Sequence, residues 1–535
     1  MCGITGIHSI NKVNTQFVLN ACVKMNKRGP DNSEILSLSN NICFGHVRLS
    51  IIDITDESNQ PFNSVCGNYS ITFNGEIYNF KEIKSMLQDE GCKFRTNGDT
   101  EVLLQLYIKK GNSGLKYLRG MFAFCIWDNV KKIFFIARDI SGEKPLFYSK
   151  TESSFGFAST LTALMELKIV PNIIDSNQVL NYLYDGYSEG DKSLIKNVQK
   201  IEPGTFLEYN FKNKNIKVNR YWTIPKYNQK LVVDSLENEL LSILENSVEE
   251  QLFADVQTSV LLSGGLDSSL VTALASNVKK NVQTFSVSFS NDKKNDEIDH
   301  ANKIARYFNT SHNILNVGEA SLSALIEICD QIDEPFIDSS MIPTFFLAKE
   351  VGKYTKVVLG GDGADELFGG YSHYNRYNFL AKIQKFIPYP LRDSIVNTAL
   401  SLLPKNIRGR KTLELFGKRL DKLEFNNANL FDYEKRKKLF KNNTLLKEAV
   451  SEKKIISTDL IRSVTFEDYN NYLSEDILVK VDRASMACSL EVRSPFLDSE
   501  ITKFAFHEVP SYLKVYKNQR KILPKMLAKK MLPKS

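Results

Sequence analysis

The sequence predicts two domains: an N-terminal α+β domain over residues 1–215 and a C-terminal doubly wound α/β domain over residues 232–535. The chain of 535 residues is longer than one hydrophobic core ordinarily organises. Short apolar runs separated by turn residues dominate the first 210 residues or so, which favours antiparallel sheet. After Asp234, apolar runs alternate with helical patterns, as a parallel sheet covered by helices requires.

The N-terminal elements follow from these apolar runs. Strands are predicted at 42–52, 69–73, 121–127, 133–137 and 155–158. Helical periodicity predicts helices at 78–87 and 101–110. The polar, aromatic stretch 209–230 is predicted to connect the two domains.

The C-terminal domain is predicted to begin with an amphipathic helix, because an apolar residue recurs every four positions at Leu236, Leu240, Leu244, Val248 and Leu252. Strands are predicted at 256–262, 283–289 and 356–359, with helical patterns between them. Beyond about residue 375 the pattern is mostly helical. We therefore expect a doubly wound sheet followed by a helical extension.

Composition argues against two classes of partner. With 69 basic and 62 acidic residues the net charge is only +7, and the lysines are not gathered with aromatics, so no nucleic-acid partner is expected. The densest basic run, 435–441, is interpreted as a solvated helix face. No signal peptide and no stretch of about 18 apolar residues is present, so no membrane partner is expected. The eight cysteines form no CxxC pair, which favours free thiols and a cytoplasmic location.

The most specific motif is the heptapeptide Ser263-Gly264-Gly265-Leu266-Asp267-Ser268-Ser269. It lies between the apolar run Val260-Leu261-Leu262 and a helix predicted from Leu270. A strand, a tight glycine turn and a helix N-terminus bring backbone N–H groups and hydroxyls to one place, where they can bind an anion. The lysine of the Walker-type loop is absent, which excludes the ordinary nucleotide triphosphatase pattern. The alternative is a plain glycine turn with a helix cap. The motif resembles the pyrophosphate loop of ATP-pyrophosphatases, which adenylate a carboxylate or carbonyl.

Cys2 is the second notable residue. It becomes the N-terminus when Met1 is removed, and its thiol then lies beside an α-amino group whose pKa of about 7.7–8.0 suits a general base. A cysteine at position 2 indicates little by itself. The motifs that follow it in order carry the interpretation: RGPD at 28–31, RLSIID at 48–53, NGEIYN at 74–79, GDTE at 98–101, GMFAF at 120–124, ARD at 137–139 and GEKPL at 142–146.

Together these motifs resemble the class II glutamine amidotransferase domain, an N-terminal-nucleophile hydrolase sandwich, over about the first 200 residues. Each motif also has a structural alternative. Asn74-Gly75 is a strong two-residue hairpin turn, and Asp99 with Thr100 suits a helix cap. Arg48 suits an exposed strand, and Arg138-Asp139 suits a surface ion pair.

The resemblance implies roles for these residues. Cys2 is the expected nucleophile, and the Asn74 amide and the Gly75 backbone N–H are the expected oxyanion donors. The glutamine α-carboxylate is expected on the guanidinium of Arg48, and its ammonium is expected on two carboxylates, Glu76 and Asp99.

Further motifs reinforce the C-terminal interpretation: DEP at 333–335, GGDGADELFGGY at 360–371, KVDRASM at 480–486 and SLEVRSPFLD at 489–498. A glutaminase-like domain followed by SGGLDSS and these blocks resembles the glutamine-dependent asparagine synthetase family over nearly the whole chain. The family implies an ATP site formed by Leu262, Ser263, Gly264, Gly265, Asp267, Ser268, Ser269, Val287, Gly360 and Gly361. It implies Mg²⁺ on Asp267 and Asp365, a catalytic Asp362, and an aspartate and ammonia side formed by Asp365, Glu366 and Tyr371. The alternative is an acidic loop that chelates nothing.

A late basic residue is expected to stabilise charge on the adenylate and pyrophosphate. Counting back from Leu532-Pro533 places it at Lys521, with Arg520 as the neighbouring candidate. A solvated face of the lysines 517, 525, 529 and 530 is the alternative. Relatives usually continue beyond this point, whereas this chain stops at Ser535. A natively short or an incomplete C-terminus would account for this, and the competence of the synthetase half depends on which holds.

The resemblance implies a two-site ligase of class EC 6.3.5.4, acting on glutamine, aspartate and ATP, and a homodimer. Two rivals stay open. One is a homologous amidotransferase that amidates another carboxylate, such as a sugar acid or peptide in polysaccharide or natural-product biosynthesis. The other is a non-synthesising glutaminase or nucleotide-binding regulator.

Overall fold

The computed structural model describes residues 2–188, 190–229, 232–289, 298–317, 322–335, 337–404, 407, 409–420, 431, 433–439 and 457–533. Met1, and residues 440 and 441 of the basic run, lie outside the described residues. Within that run, Arg436 is buried against the Tyr184 ring while Lys435 is exposed, so the prediction of a fully solvated helix face is wrong at Arg436. No helix in the described ranges has the length and apolar character needed to cross a membrane.

Two antiparallel sheets form the N-terminal part. One has the strand order β10-β8-β9-β1-β3-β2 and the other β12-β11-β7-β6-β5-β4. The strands are β1 Gly3–Ser9, β2 Asn32–Ser39, β3 Ile42–Arg48, β4 Phe62–Asn63, β5 Tyr69–Ile77, β6 Gly120–Asp128, β7 Ile133–Arg138, β8 Phe147–Lys150, β9 Ser154–Ala158, β10 Val198–Lys200, β11 Thr205–Asn210 and β12 Ile216–Arg220. The helices are α1 Thr15–Lys24, α2 Phe80–Asp89, α3 Asp99–Lys110, α4 Leu161–Glu166 and α5 Ser176–Asp185.

Aromatic side chains fill the space between the two sheets. Phe44 of β3 and Phe157 of β9 meet Phe134 of β7 in one buried cluster. Helices α2 and α3 cover the outer face of the β5–β6 sheet, and α1 and α4 cover the outer face of the other. This is the N-terminal-nucleophile sandwich that the motifs imply, and it places the start of β1 beside the end of β5.

The structure corrects two N-terminal predictions. Strand β5 continues through Asn74 and Gly75, which pair with Ala123 and Phe122 of β6, so the hairpin-turn alternative is wrong. A Cβ at Gly75 would overlap the Met121 carbonyl oxygen, so glycine is required by the close approach of two strands. The stretch 209–230 is not all connector, because β12 lies within it and pairs with β11. Its polar composition reflects its place at a sheet edge.

A five-stranded parallel sheet organises the C-terminal part, in the order β15-β14-β13-β16-β17. Its strands are β13 Thr258–Leu261, β14 Gln283–Phe289, β15 Ser311–Val317, β16 Val357–Leu359 and β17 Glu491–Arg493; β18 Val515–Tyr516 pairs with β19 Gln519–Arg520. The helices are α6 Val233–Leu252, α7 Leu266–Val278, α8 Ile298–Tyr307, α9 Leu322–Cys329, α10 Met341–Val351, α11 Ala364–Phe368, α12 Ser372–Gln384, α13 Tyr389–Leu402, α14 Arg410–Gly417, α15 Tyr433–Leu439, α16 Leu460–Glu467, α17 Leu478–Met486, α18 Ser499–His507, α19 Ser511–Lys514 and α20 Ile522–Met531, with a π-helix at Asp468–Ile477.

Two features of this sheet position the site. The chain runs outward from β13 through β14 to β15 and then returns to place β16 on the other side of β13, which opens a crevice at their carboxyl ends. Helix α7 begins at Leu266, earlier than the predicted Leu270, so Asp267, Ser268 and Ser269 lie in its first turn. The periodic leucines of α6 are buried as predicted.

Buried polar contacts join the two parts. Arg28 makes a bidentate ion pair with Asp482 of α17, with nitrogen–oxygen distances of 2.7 and 2.9 Å. Lys200 pairs with Glu475 at 2.5 Å, and Ser141 hydrogen-bonds Tyr469 at 2.8 Å. Each pair takes one partner from the N-terminal sandwich, so the two parts share a continuous buried interface.

Candidate active sites

The candidate nucleophile Cys2 lies at the start of β1, beside the Asn74 side chain. Its backbone nitrogen donates to Asn74 Oδ1 at 3.0 Å. The other amide atom, Asn74 Nδ2, is buried and has no hydrogen-bond partner among the described residues. A buried amide donor without an acceptor next to a thiol is the arrangement that a developing oxyanion would satisfy.

The Cys2 side chain is 8% exposed. Burial raises the pKa of its thiol, while a hydrogen bond with the Leu49 backbone and the charge of Arg48 act in the opposite direction. A buried thiol therefore needs a nearby base to become a thiolate. The nitrogen that donates to Asn74 becomes the α-amino group once Met1 is removed.

Arg48 is buried rather than exposed, so the exposed-strand alternative is wrong. Its Nη1 donates to Thr55 O at 2.8 Å and to Asn59 Oδ1 at 2.7 Å, and its Nη2 donates to the Asp53 carbonyl. The guanidinium therefore holds the loop that follows β3. A bound carboxylate would replace part of these contacts.

Glu76 and Asp99 are buried carboxylates near the end of β5 and the start of α3. Asp99 Oδ2 accepts a hydrogen bond from Ile77 N at 2.9 Å; the N-cap of α3 is Gly98, with no side-chain cap hydrogen bond, so Asp99 is not the N-cap residue. Burial raises the pKa of Asp99 to about 6 and raises the pKa of Glu76 well above its ordinary value. Glu76 Oε2 has no hydrogen-bond partner within the described ranges. The pair can accept an ammonium group.

Arg138 and Asp139 do not form a surface ion pair. Both are buried, and Arg138 donates to the carbonyl groups of Gly142, Lys144 and Ile201. Asp139 accepts from the backbone N–H groups of residues 141–144. The two residues shape the loop after β7, which is a structural role.

The serine-glycine loop connects β13 to α7 in the expected geometry. Ser263 Oγ and Ser268 Oγ lie 3.0 Å apart, and Gly265 N donates to Ser263 Oγ at 3.2 Å. Gly264 has a φ of +82°, a conformation that favours glycine. Helix α7 starts with no side-chain cap, so its first N–H groups are available to an anion.

The neighbouring strands bring the other predicted ATP residues to this loop. Leu262 N donates to Phe285 O of β14 at 2.8 Å, and Val287 lies near the carboxyl end of the same strand. Gly361 follows β16 and packs against the first turn of α7: a Cβ there would lie 3.0 Å from Asp267 Cβ and 3.3 Å from Ser268 N. Gly360 N donates to Arg493 O at 2.8 Å.

Lys521 joins the loop to the acidic segment after β16. Its Nζ lies 2.5 Å from Asp267 Oδ2 and 2.8 Å from Asp365 Oδ1. Arg520 points elsewhere, toward the Gly370 carbonyl at 2.5 Å. Of the two neighbours, only Lys521 faces the loop, and it is buried rather than on a solvated face.

The same carboxylates fit a divalent cation. Asp267 Oδ1 is buried and has no hydrogen-bond partner among the described residues, and Asp365 brings a second hard oxygen ligand. No group of three or more His, Cys, Asp or Glu side chains suited to a metal occurs in the described ranges. Mg²⁺ commonly takes only one or two carboxylates and keeps phosphate and water ligands, so two suffice.

The remaining acidic residues line the segment from Asp362 to Tyr371. Burial raises the pKa of Asp362, and burial raises the pKa of Glu366 to about 8. The Tyr371 hydroxyl donates to Glu366 Oε1 at 2.5 Å. A carboxyl group of this kind can hold a proton near neutral pH.

Sequence reasoning missed the residues of β17. Glu491 and Arg493 belong to the SLEVRSPFLD motif, and both are fully buried at the interface with Glu76. Arg493 Nε donates to Glu491 Oε1 at 2.7 Å, and a three-residue strand with two charged side chains gives no pattern that predicts their burial.

Comparisons with known proteins agree with this geometry. A family model described as a glutamine amidotransferase domain matches residues 1–222, and one described as asparagine synthase matches residues 239–535. The chain is 32% identical to asparagine synthetase [glutamine-hydrolyzing] 1 of Bacillus subtilis, over 100% of this chain and 85% of that protein. It is 28% identical to asparagine synthetase [glutamine-hydrolyzing] 3 of the same organism, again over 100% of this chain and 85% of that protein. It is 29% identical to the amidase chry2 of Gibberella zeae, over 71% of this chain and 58% of that protein.

A buried N-terminal thiol site and an ATP-type anion loop in one chain define an ATP-using glutamine amidotransferase of the asparagine synthetase type. The chain belongs to the asparagine synthase family.

Proposed function

We propose that this protein synthesises asparagine from aspartate, ATP and glutamine, with roles for Cys2, Lys521 and their neighbours as the sequence implies. The observation that carries the proposal is Lys521, whose Nζ contacts Asp267 of the anion loop and Asp365 of the acidic segment. A cation placed there faces both the phosphate site and the acceptor side, which adenylation of a carboxylate requires.

At the glutaminase site, the α-amino group of Cys2 takes the thiol proton and the sulfur attacks the glutamine amide carbon. Asn74 Nδ2 and the Gly75 backbone N–H donate to the oxyanion. The carbon–nitrogen bond then breaks, ammonia leaves with the proton returned by the amine, and water releases glutamate from the thioester. Arg48 binds the substrate carboxylate, and Glu76 and Asp99 bind its ammonium.

At the synthetase site, an aspartate β-carboxylate oxygen attacks the α-phosphorus of ATP and pyrophosphate leaves. Backbone N–H groups and hydroxyls of residues 263–269 hold the departing phosphates, and Leu262, Val287, Gly360 and Gly361 frame the nucleotide. Mg²⁺ held by Asp267 and Asp365 would neutralise phosphate charge. Ammonia attacks the acyl carbon of the β-aspartyl adenylate and AMP leaves. Asp362 takes the proton that ammonia loses, and Glu366 with Tyr371 lies on the aspartate side.

Ammonia reaches the second site inside the protein, in this proposal, and the buried ion pairs that join the two parts support this. We keep the domain bounds at 1–215 and 232–535 and propose a cytoplasmic homodimer. Free cysteines support a reducing compartment, since none of the eight is in a disulfide.

A second candidate is amidation of a different carboxylate. The 29% identity to a fungal protein named an amidase favours this second candidate. The ATP and glutamine sites do not determine which carboxylate accepts the nitrogen. Purified protein with labelled aspartate, ATP·Mg²⁺ and glutamine separates the two. Labelled asparagine, AMP and pyrophosphate in equal amounts support the proposal. AMP formed only with another carboxylate supports the second candidate, and no pyrophosphate with any carboxylate contradicts both.

A further inference from the structure

One guanidinium of the ATP-side sheet lies directly against the glutamine-side carboxylates. Arg493 ends β17, is fully buried, and lies with Nη2 3.6 Å from Glu76 Oε1. Glu76 belongs to β5 of the N-terminal sandwich. The contact therefore crosses from one part of the protein to the other at the position where the substrate ammonium is proposed to bind.

The hydrogen bonds of Arg493 use its Nε and Nη1 atoms, which leaves Nη2 for Glu76. Its Nε donates to Glu491 Oε1 at 2.7 Å. Its Nη1 donates to the carbonyl groups of Gln251 and Phe253 at 2.8 and 2.7 Å, just at the end of α6. Its Nη2 has no hydrogen bond within the described ranges, and neither has Glu76 Oε2. At 3.6 Å the two groups attract as charges without a hydrogen bond.

The cluster carries more negative than positive charge. The charged and titratable groups facing Glu76 are Arg493 and Glu491 from β17, Asp99 from α3, Tyr78 and Cys2 beside the site, and the terminal amino group, whose charge also lowers the pKa of Glu76. Burial and Glu491 raise the pKa of Glu76, and Arg493 lowers it. One arginine and the terminal amino group among three buried carboxylates leave room for a further cation, which a substrate ammonium would supply.

We propose that Arg493 is a positioning residue for glutamine: supplied by the ATP-side sheet, it orients Glu76 toward the substrate ammonium and favours the ionised form of that carboxyl. The glutamine site is then complete only when the two parts are docked. The same residue accepts a hydrogen bond from Gly360 N at 2.8 Å, so its backbone is fixed by the nucleotide-side strand β16. This inference rests on the proposed glutaminase function.

The test measures glutamine binding by calorimetry between pH 5 and 9 in a full-length Cys2→Ala background, which binds without turnover. Arg493→Gln removes the charge that favours ionised Glu76, so the acid limb of the affinity profile should move to higher pH, with roughly tenfold weaker binding at pH 7 for each unit of displacement. Glu491→Gln removes an opposing charge and keeps the side-chain shape, so the limb should move to lower pH.

Lys200→Gln is the matched control, since it breaks another buried ion pair between the two parts, away from Glu76. It should lower the melting temperature without moving the acid limb of the glutamine-affinity profile. If this acid limb stays at the same pH in both Arg493→Gln and Glu491→Gln, the inference is overturned. If Arg493→Gln does not fold, Glu491→Gln alone decides. If the acid limb moves in the Cys2→Ala series but protein that retains Cys2 releases no glutamate from glutamine, the proposed function is wrong and the inference stands. Absence of glutamine binding at every pH overturns both.

Discussion

Lys521 Nζ lies 2.5 Å from Asp267 Oδ2, which joins the start of α20 to the first turn of α7. Lys521 is 8% exposed, and burial opposes the two carboxylates that raise its pKa. The ammonium is therefore held charged at the edge of the proposed phosphate site. This contact separates Lys521 from its exposed helical neighbours.

Lys521→Met should reduce pyrophosphate release by roughly a hundredfold or more, because a preorganised charge on the transition state is lost. Glutamine hydrolysis should persist. Lys525→Met, at an exposed position one turn further along α20, is the control and should keep both activities. Equal losses of pyrophosphate release in the two variants would show that the substitutions act by disturbing α20 and not by removing the Lys521 charge.

Asp267→Asn should abolish AMP formation while some glutaminase activity remains, because the loop loses its anionic ligand but the sandwich is untouched. AMP and glutamate can be measured in the same reaction. Asp299→Asn, on the exposed face of α8, is the control. Ammonia-dependent synthesis surviving in Asp267→Asn would contradict the role given to this carboxylate.

Asn74→Ala should lower kcat for glutamine by about a hundred- to a thousandfold with a smaller change in KM, because an oxyanion donor acts mainly in the transition state. Ammonia-dependent synthesis should be retained. Asn79→Ala removes a buried asparagine that bonds only backbone groups in the structure, to Tyr117 O and Arg119 N at 2.9 Å. It should lower thermal stability and leave kcat near wild type.

Glu143→Gln should change how stability depends on pH. Burial, with Asp139 adding to it, raises the pKa of Glu143 from 4.5 to about 8. The folded protein thus holds this proton more tightly than the unfolded chain, and stability declines as pH rises from about 4.5 through about 8. At pH 8 the variant should have a higher melting temperature than wild type and a larger free energy of unfolding, by on the order of 4 kcal/mol at most. It should show little gain at pH 5. Glu152→Gln, which is exposed, should show no such difference.

Local motifs were predictable because their chemistry is contiguous in the chain. The residues of the 263–269 loop lie between a strand and a helix that hydrophobic pattern alone predicts. In the structure the strand is shorter, Thr258–Leu261, and α7 starts earlier, at Leu266. The Asn74-Gly75 dipeptide shows where local preference fails. It is a strong turn sequence, yet pairing with β6 keeps it extended inside a sheet.

Contacts across the interface could not be predicted in this way. Arg28 pairs with Asp482, and Arg493 faces Glu76, through tertiary packing of elements far apart in the sequence. Strand β17 is three residues long and takes its place only through pairing with β16. Periodicity has no period to detect in so short an element.

The most direct test of two centres acting in series follows the transferred nitrogen. Amide-¹⁵N glutamine is supplied with excess unlabelled ammonium, aspartate and ATP·Mg²⁺ to wild type and to Cys2→Ala. Mass spectrometry then measures the ¹⁵N content of the amidated product. Internal transfer predicts ¹⁵N in the wild-type product and an unlabelled product from Cys2→Ala. An unlabelled wild-type product, or a labelled one from Cys2→Ala, would contradict it.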